Sequence, residues 1–241
     1  MRLSAGVVVS IARYPVKSMK AESLEAADLH WPWLHGDRQY AFVKRSNTSA
    51  FPWLTARDLP SLVQFRARYS APGDPSHSKV TVTDPGGAEF DIRDPALVAR
   101  LAEDAGLPIW LLRLGRGCFD AMPVSILTTT MAALVEQAHG EAVAIDRFRA
   151  NVVIRPSDPA VTEQSWLGKH LAFGGGANPA CLEVGWSTPR CAMVGIDAIT
   201  GARDAGVVRT VARRFQNQVG AYCSVRMPGT IRVGDEVVLT A

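Results

Sequence analysis

Short runs of Val, Ile, Tyr, Phe and Thr with partial alternation dominate the first half of the chain: VVVSIARY, QYAFVK, LVQFRARY and KVTVTD. Apolar residues at a period of two suit pleated strands with one covered face. Asp84-Pro85-Gly86-Gly87 is a turn before a further short strand, AEFDI. The period then changes. Asp94 can cap a helix with Pro95 at its first position, Leu97, Val98 and Leu101 on its apolar face and Gly106 at its end. IWLLRL follows as a buried strand. Gly115-Arg116-Gly117 reads as a linker, which divides the chain into residues 1–115 and 116–241.

In PVSILTTTMAALVEQAHG, a threonine between 128 and 130 can cap a helix. Its face is Met131, Leu134, Val135 and Ala138, and it ends at Gly140. NVVIR, CLEVGW and AMVGID read as strands, and LGKHLAFGGG as a strand leading into a flexible turn. VVRTVARRF reads as an amphipathic helix through Val207, Val208, Val211 and Phe215. AYCSVRM and then GTIRVGDEVVL close the chain with a strand pair. Many short strands with few helices predict a mainly β (α+β) chain, built as barrels or sandwiches.

With 47% hydrophobic and 20% charged residues, the 241-residue chain has the composition of a globular protein of one large or two small domains. A net charge of +3 argues neither way on nucleic acid. No basic run tracks a phosphate backbone, so no nucleic-acid partner is expected. In the densest cluster, Arg203, Arg209, Arg213 and Arg214, Arg209 and Arg213 share one helix face, which reads as solvated. The apolar run in MRLSAGVVVSIARYP is too short for a membrane span and lacks the core of an export signal. No membrane association is expected, and the expected compartment is the cytoplasm. There Cys118, Cys181, Cys191 and Cys223 would be reduced. None forms a C-x-x-C pair.

Several stretches carry candidate chemistry. In YPVKS, Lys17 and Ser18 can offer an ammonium, a hydroxyl and two backbone N–H groups to one anion, or stand as solvated loop residues. In HGDR, Arg38 is either half of a surface pair with Asp37 or a guanidinium fork for a phosphate or a carbonyl-rich ring. TAR places Arg57 in a loop. RFRANVVI puts Arg147, Arg149 and Asn151 on one side if extended, where an anion and an amide-like edge could bind, or where the arginines are simply solvated. Trp166 in TEQSWLG reads as an aromatic plug. STPRC reads as a bend between strands, with Cys191 either filling space or presenting a thiolate beside Arg190. No G-x-G-x-x-G follows a strand and no G-x-x-x-x-G-K-[ST] occurs, which weakens dinucleotide and P-loop readings.

Taken together and in order, these segments resemble the MOSC family preceded by its N-terminal β-barrel domain. YPVKS, GDRQYAFV, LTARDLPSLV, RFRANVVI, TEQSWLGKHLAFG, TPRC with IDAITG, and GTIRVGDEVVL each resemble a family motif, over nearly the whole chain. Ala150 stands where the pattern has proline, and Gln164 where it has an acid. The resemblance implies two β-barrel-like domains with a molybdenum cofactor (Mo-molybdopterin) in the cleft between them. In relatives similar to the mitochondrial amidoxime-reducing component, the cysteine of the R-C dipeptide ligates molybdenum, which here is Cys191. Lys17, Ser18 and Arg38 are implied to hold the pterin and its phosphate, Arg149 and Asn151 to contact the pterin, and Thr188 to lie near the metal. The implied activity is oxygen-atom transfer from a small N-hydroxylated compound, with electrons from a separate donor protein. The alternative is a cofactor- or sulfur-carrier protein with a persulfide on Cys191.

Overall fold

The structure, a computed structural model, describes residues 3–175 and 179–240. Met1 and Arg2 of the expected first strand, and Gly176 of the expected turn, lie outside the described residues. The first part contributes β1 (Leu3–Arg13), β2 (Glu22–Leu24), β3 (Ala26–His30), β4 (Trp33–Leu34), β5 (Tyr40–Lys44), β6 (Arg66–Tyr69), β7 (Val80–Thr83), β8 (Glu89–Asp91), α1 (Pro95–Ala105) and β9 (Ile109–Arg113). The second contributes β10 (Val124–Thr128), α2 (Thr129–His139), β11 (Val152–Pro156), β12 (His170–Phe173), β13 (Ala180–Pro189), α3 (Ala205–Phe215), β14 (Gln218–Met227), β15 (Gly229–Arg232) and β16 (Glu236–Thr240).

Seven strands close into a barrel in the order β11-β10-β14-β13-β12-β16-β1, sealed by the β1–β11 pairing. Closure removes the sheet edges that would otherwise expose unpaired backbone groups. Ile11, Ile126, Ile154, Trp166, Leu171 and Leu182 fill its interior, so Trp166 is the expected plug. β10 and β11 are parallel, and α2 makes the crossover between them. A second core, with Phe42, Phe65, Val82, Leu97 and Leu101, lies under α1, the β5–β9 pair and the β6-β7-β8 sheet. The protein is thus mainly β, with a closed barrel and three α-helices among the described residues.

Strand pairing crosses the boundary expected near residue 116. β1 completes a barrel made otherwise of second-part strands, and β15 returns to pair with β3 of the first part. β1 carries a register shift against each of its barrel neighbours, between Val8 and Ser10 on β11 and between Ser4 and Gly6 on β16. Gly6, at the second of these, has φ 155°, and a Cβ there would lie 2.2 Å from the Arg155 carbonyl oxygen. Gly6→Ala is therefore expected to lower stability by about 1–3 kcal/mol by forcing two strands apart. The measurement is a lower urea midpoint at an unchanged slope.

The helix ends fall where the caps predict. Asp94 Oδ1 accepts from Ala96 N at 2.8 Å, Thr128 Oγ1 accepts from Met131 N at 3.1 Å, and Gly106 and Gly140 close their helices in the left-handed region. Four expectations need correction. IWLLRL is not buried: only Ile109 is, because β9 pairs with β5 alone and leaves Trp110 42% exposed. LVQFRARY starts as a 3-10 turn over Pro60–Gln64 before β6 begins. AMVGID is a 3-10 turn over Ala192–Gly195, whose following residue, Ile196, packs into the second core. Finally, β15 and β16 do not pair with each other. Gly234 N donates to Val8 O at 2.8 Å and Val8 N to Asp235 O at 3.0 Å, so the turn between them is tied across to β1 and the chain switches sheets. Among the described residues, no helix is long and apolar enough to cross a membrane.

Candidate functional site

A cleft of about 630 Å³ opens between the two parts. Its wall carries six cationic side chains, Lys17, Arg38, Arg57, Arg147, Arg149 and Arg190, against one carboxylate, Asp120. Such an excess in a concave site concentrates anions.

The first wall is built by the chain turning after β1. Tyr14 N donates to Asp37 Oδ1 at 2.8 Å, and Ser18 takes a left-handed φ of 68°. Lys17 and Ser18 are both buried in the cleft wall. Lys17 Nζ donates to Cys118 O at 2.7 Å and pairs with Asp120 Oδ1 at 2.8 Å. Burial holds its pKa below the ordinary lysine value, and the Asp120 charge opposes that shift. Arg38 pairs with Asp37 and donates from Nη2 to Arg149 O at 3.2 Å. Asp37 is fully buried, so this is no surface pair. Both Arg38 and Arg149 lie against the Tyr14 ring, at 4.5 and 4.1 Å from its centroid. The ring's negative face helps two guanidinium groups share one corner.

The second wall differs from the expectation of an extended RFRAN segment. Ile145–Phe148 is a 3-10 turn, Arg149 caps it at φ 51°, and the strand starts only at Val152. Arg149 therefore reaches the cleft by a backbone bend rather than by strand alternation. Its Nη2 donates to Met19 O at 2.8 Å, and burial lowers its pKa to about 10. Asn151 is not on the cleft wall. Its Oδ1 accepts from Ser125 N at 3.1 Å and Ser125 Oγ at 3.2 Å, and its Nδ2 donates to Ala12 O at 3.2 Å. It fixes Ser125, which does line the cleft, to the end of β1. Asn151→Ala is expected to cost about 1–3 kcal/mol of folding stability through stranded donors and acceptors, measured by chemical denaturation.

Residues Ser187–Cys191 are not simply a bend. β13 runs on to Pro189, Thr188 is buried in the cleft wall, and Cys191 begins the 3-10 turn. Arg190 points inward. Its Nε donates to Val219 O and its Nη1 to Phe148 O, each at 2.6 Å, and burial lowers its pKa to about 10. Gly220 makes room for it, since a Cβ there would lie 2.7 Å from Arg190 Nη2. This clamp sets the backbone from which Cys191 emerges.

Cys191 is the exposed thiol of the four. Burial raises the pKa of the others: Cys118 to about 11, Cys181 above the usual value, and Cys223 further still. A thiol held protonated is a poor metal ligand. Among the described residues no three His, Cys, Asp or Glu side chains gather as a metal site, so a metal at Cys191 would take its other donors from a bound group.

Lys17, Ser18, Arg38, Arg149, Thr188 and Cys191 thus line one cleft, and Asn151 stands behind it. Sequence reasoning missed Asp120 and Glu163. Glu163 is fully buried, accepting from Thr128 N at 3.0 Å, Thr128 Oγ1 at 2.6 Å and Gly220 N at 2.7 Å. It falls inside the TEQSWLG motif, but nothing in that stretch marks it as buried, since carboxylates are mostly exposed.

Fold and site together define a closed-barrel protein with a cationic cleft and a single exposed thiol on its wall. Residues 116–238 match the family model of the MOSC domain, and residues 5–122 that of the MOSC N-terminal beta barrel domain. The chain belongs to the MOSC family, whose domain is of the molybdenum-cofactor-binding type. Molybdenum cofactor sulfurase 2 of Culex quinquefasciatus is 37% identical over 82 residues, which cover 33% of this chain and 10% of that protein. The match thus spans about a tenth of the length of that curated relative. The crystal structure of the YuaD protein from Bacillus subtilis shares the fold, with a TM-score of 0.54 at 14% identity over 99% of this chain and 97% of its own.

Proposed function

We propose that the protein is a molybdenum-cofactor-dependent reductase of N-hydroxylated compounds. The observation that carries this reading is the exposed Cys191 thiol at the wall of a cleft with six cations and one carboxylate. The residues fit the group. Cations suit its phosphate, a soft thiolate suits molybdenum, and polar atoms buried without a partner on Thr188, Arg147 and Arg190 leave hydrogen-bonding capacity for a ligand. Lys17, Ser18, Arg38 and Arg149 would hold the phosphate and pterin, and Cys191 would ligate the metal. When bound, the group supplies the oxygen-atom transfer chemistry, and the protein supplies orientation and charge. The clamp of Arg190 on Phe148 and Val219 keeps the Cys191 backbone in place. Phe51 and Met193 on the cleft wall give a small substrate apolar surface. Electrons would come from a separate donor protein, in the cytoplasm.

Metal analysis and a visible spectrum of protein from a cofactor-competent host test the reading, together with amidoxime turnover by a dye-reduced sample. About one molybdenum per chain with turnover is the expected result, as a single thiol ligand allows. Metal-free protein from such a host overturns it.

A second reading, a sulfur carrier with a persulfide on Cys191, is favoured by the 37% identity to a protein named as a molybdenum cofactor sulfurase. Cyanide-labile sulfur on Cys191 without molybdenum would select it.

A further inference from the structure

Cys191 lies in a short segment that is fastened on both sides to the same neighbour. It caps the 3-10 turn Ala192–Gly195, which packs against the 3-10 turn Ile145–Phe148. Ahead of Cys191, Arg190 Nη1 donates to Phe148 O at 2.6 Å. Beyond it, Arg147 Nη2 donates to Asp197 Oδ2 at 2.8 Å. The thiol thus stands between two ties to one turn.

Asp197 does more than pair a charge. Its Oδ1 accepts from Ile199 N at 3.0 Å, Thr200 N at 2.9 Å and Thr200 Oγ1 at 3.0 Å, which closes the turn after Ile196. That turn grips the first part of the chain. Gln64 Nε2 donates to Ile199 O at 3.1 Å, and Arg203 Nη2 donates to Arg57 O at 2.7 Å. Ile196 is buried in the second core, and Met193 packs against it. One carboxylate therefore joins the turn of Arg147, the segment of Cys191 and the first part. The Arg147 side chain is 10% exposed and that of Asp197 24%, so this charge-assisted bond is better shielded than a surface pair. Arg147 Nε and Nη1 are buried without a partner, so without Asp197 the guanidinium would be a buried cation with no acceptor among the described residues. The Thr200 N–H, foremost, holds the Asp197 carboxyl below the usual carboxylate range, which keeps it charged at neutral pH. Arg147, Cys191 and Met193 line the cleft, and Asp197 does not.

We infer that Asp197 is a positioning residue for Cys191. It fixes the turn behind the thiol against Arg147 and against the first part, so the thiol keeps one place relative to both walls of the cleft. This role rests on the proposed reading of Cys191 as the metal ligand and deepens it.

The test starts from full-length protein made in a host that lacks the cofactor, and reads hydrogen exchange at the amides of Val194 and Ile196. These donate to Cys191 O at 3.3 Å and Met193 O at 3.0 Å, so they report opening of the turn. Asp197→Asn keeps the size and one acceptor oxygen and removes the charge facing Arg147. It should speed exchange at both amides at least about tenfold, as loss of a charge-assisted bond predicts. Arg147→Met cuts the same tie from the other side and carries the test if the first variant does not fold. In the Arg147→Met background, Asp197→Asn should add less than about twofold, because the shared contact is already gone. Gly6→Ala weakens the β1–β11 pairing instead and should leave both amides unchanged. Unchanged exchange in Asp197→Asn overturns the role. So does equal acceleration by Gly6→Ala, which would make Asp197 an ordinary stabilising residue. On molybdenum-loaded protein, Asp197→Asn should release metal at least about tenfold faster, as for other partners behind a ligand. It should also lower kcat for an amidoxime and hold KM. Full metal retention with full kcat overturns the role as well. Loaded parent protein whose Asp197→Asn form exchanges normally refutes Asp197 alone. Protein that takes up no molybdenum refutes the reductase reading, and the exchange rates then decide the role of Asp197 by themselves.

Discussion

Cys191→Ala protein from a cofactor-competent host is expected to lack molybdenum and to reduce an amidoxime more than about 100-fold more slowly. Loss of an outer-shell partner alone costs 10–100-fold in metal affinity or activity, and a direct ligand contributes more. No other cysteine of the chain can take over. Cys118 and Cys223 are buried, and Cys181 is only partly exposed on β13 in the barrel wall. Burial keeps all three protonated. Cys181→Ala serves as the control and should retain its metal. Cys191→Ala protein with full molybdenum and full turnover would remove the thiol from the chemistry altogether. The same variant with normal metal but slow turnover would leave Cys191 a role in the reaction without a role in retention.

Glu163→Ala is expected to cost about 3–5 kcal/mol, since each buried donor left without a partner costs about 1–3 kcal/mol. It strands three donors at once: Thr128 N, Thr128 Oγ1 and Gly220 N. For a chain of this length that corresponds to a fall in Tm of roughly 10 °C, read by scanning calorimetry. Glu163→Gln keeps the size and one acceptor oxygen, so its loss should be smaller. The two variants together separate the charge from the shape. A Glu163→Ala protein within about 1 kcal/mol of the parent, well below the cost of such stranded donors, would mean that water replaces the carboxylate at this junction of β10, α2 and β14.

Local chemistry was legible in the sequence, and non-local pairing was not. Asp94, Gly106, Thr128 and Gly140 mark helix ends because a cap is completed within one turn of chain. The cleft residues surfaced because each sits in a short motif at a bend. Asn151 was misplaced because a period of two was carried back into RFRAN, where the chain is a 3-10 turn. Asp37 and Glu163 were missed as buried carboxylates because their donors come from distant segments: Tyr14 for Asp37, and Thr128 with Gly220 for Glu163. The partners of β15 and β16 were misread for the same reason. Neighbours in sequence look like a hairpin until a contact with Val8 redirects the turn.

The exchange of strands between the two ends has a kinetic consequence. Leu3 pairs with Leu239, so the barrel cannot seal until the last strand has been made. Contacts this remote in sequence slow folding, because the intervening chain must be ordered before they form. During synthesis β1 waits unpaired with β16 while all of the second core's buried residues but Ile196 have already been made. The walls of the cleft reach their final spacing only at barrel closure. Cys191 stays exposed on the cleft wall after closure, so the finished barrel does not cover the thiol.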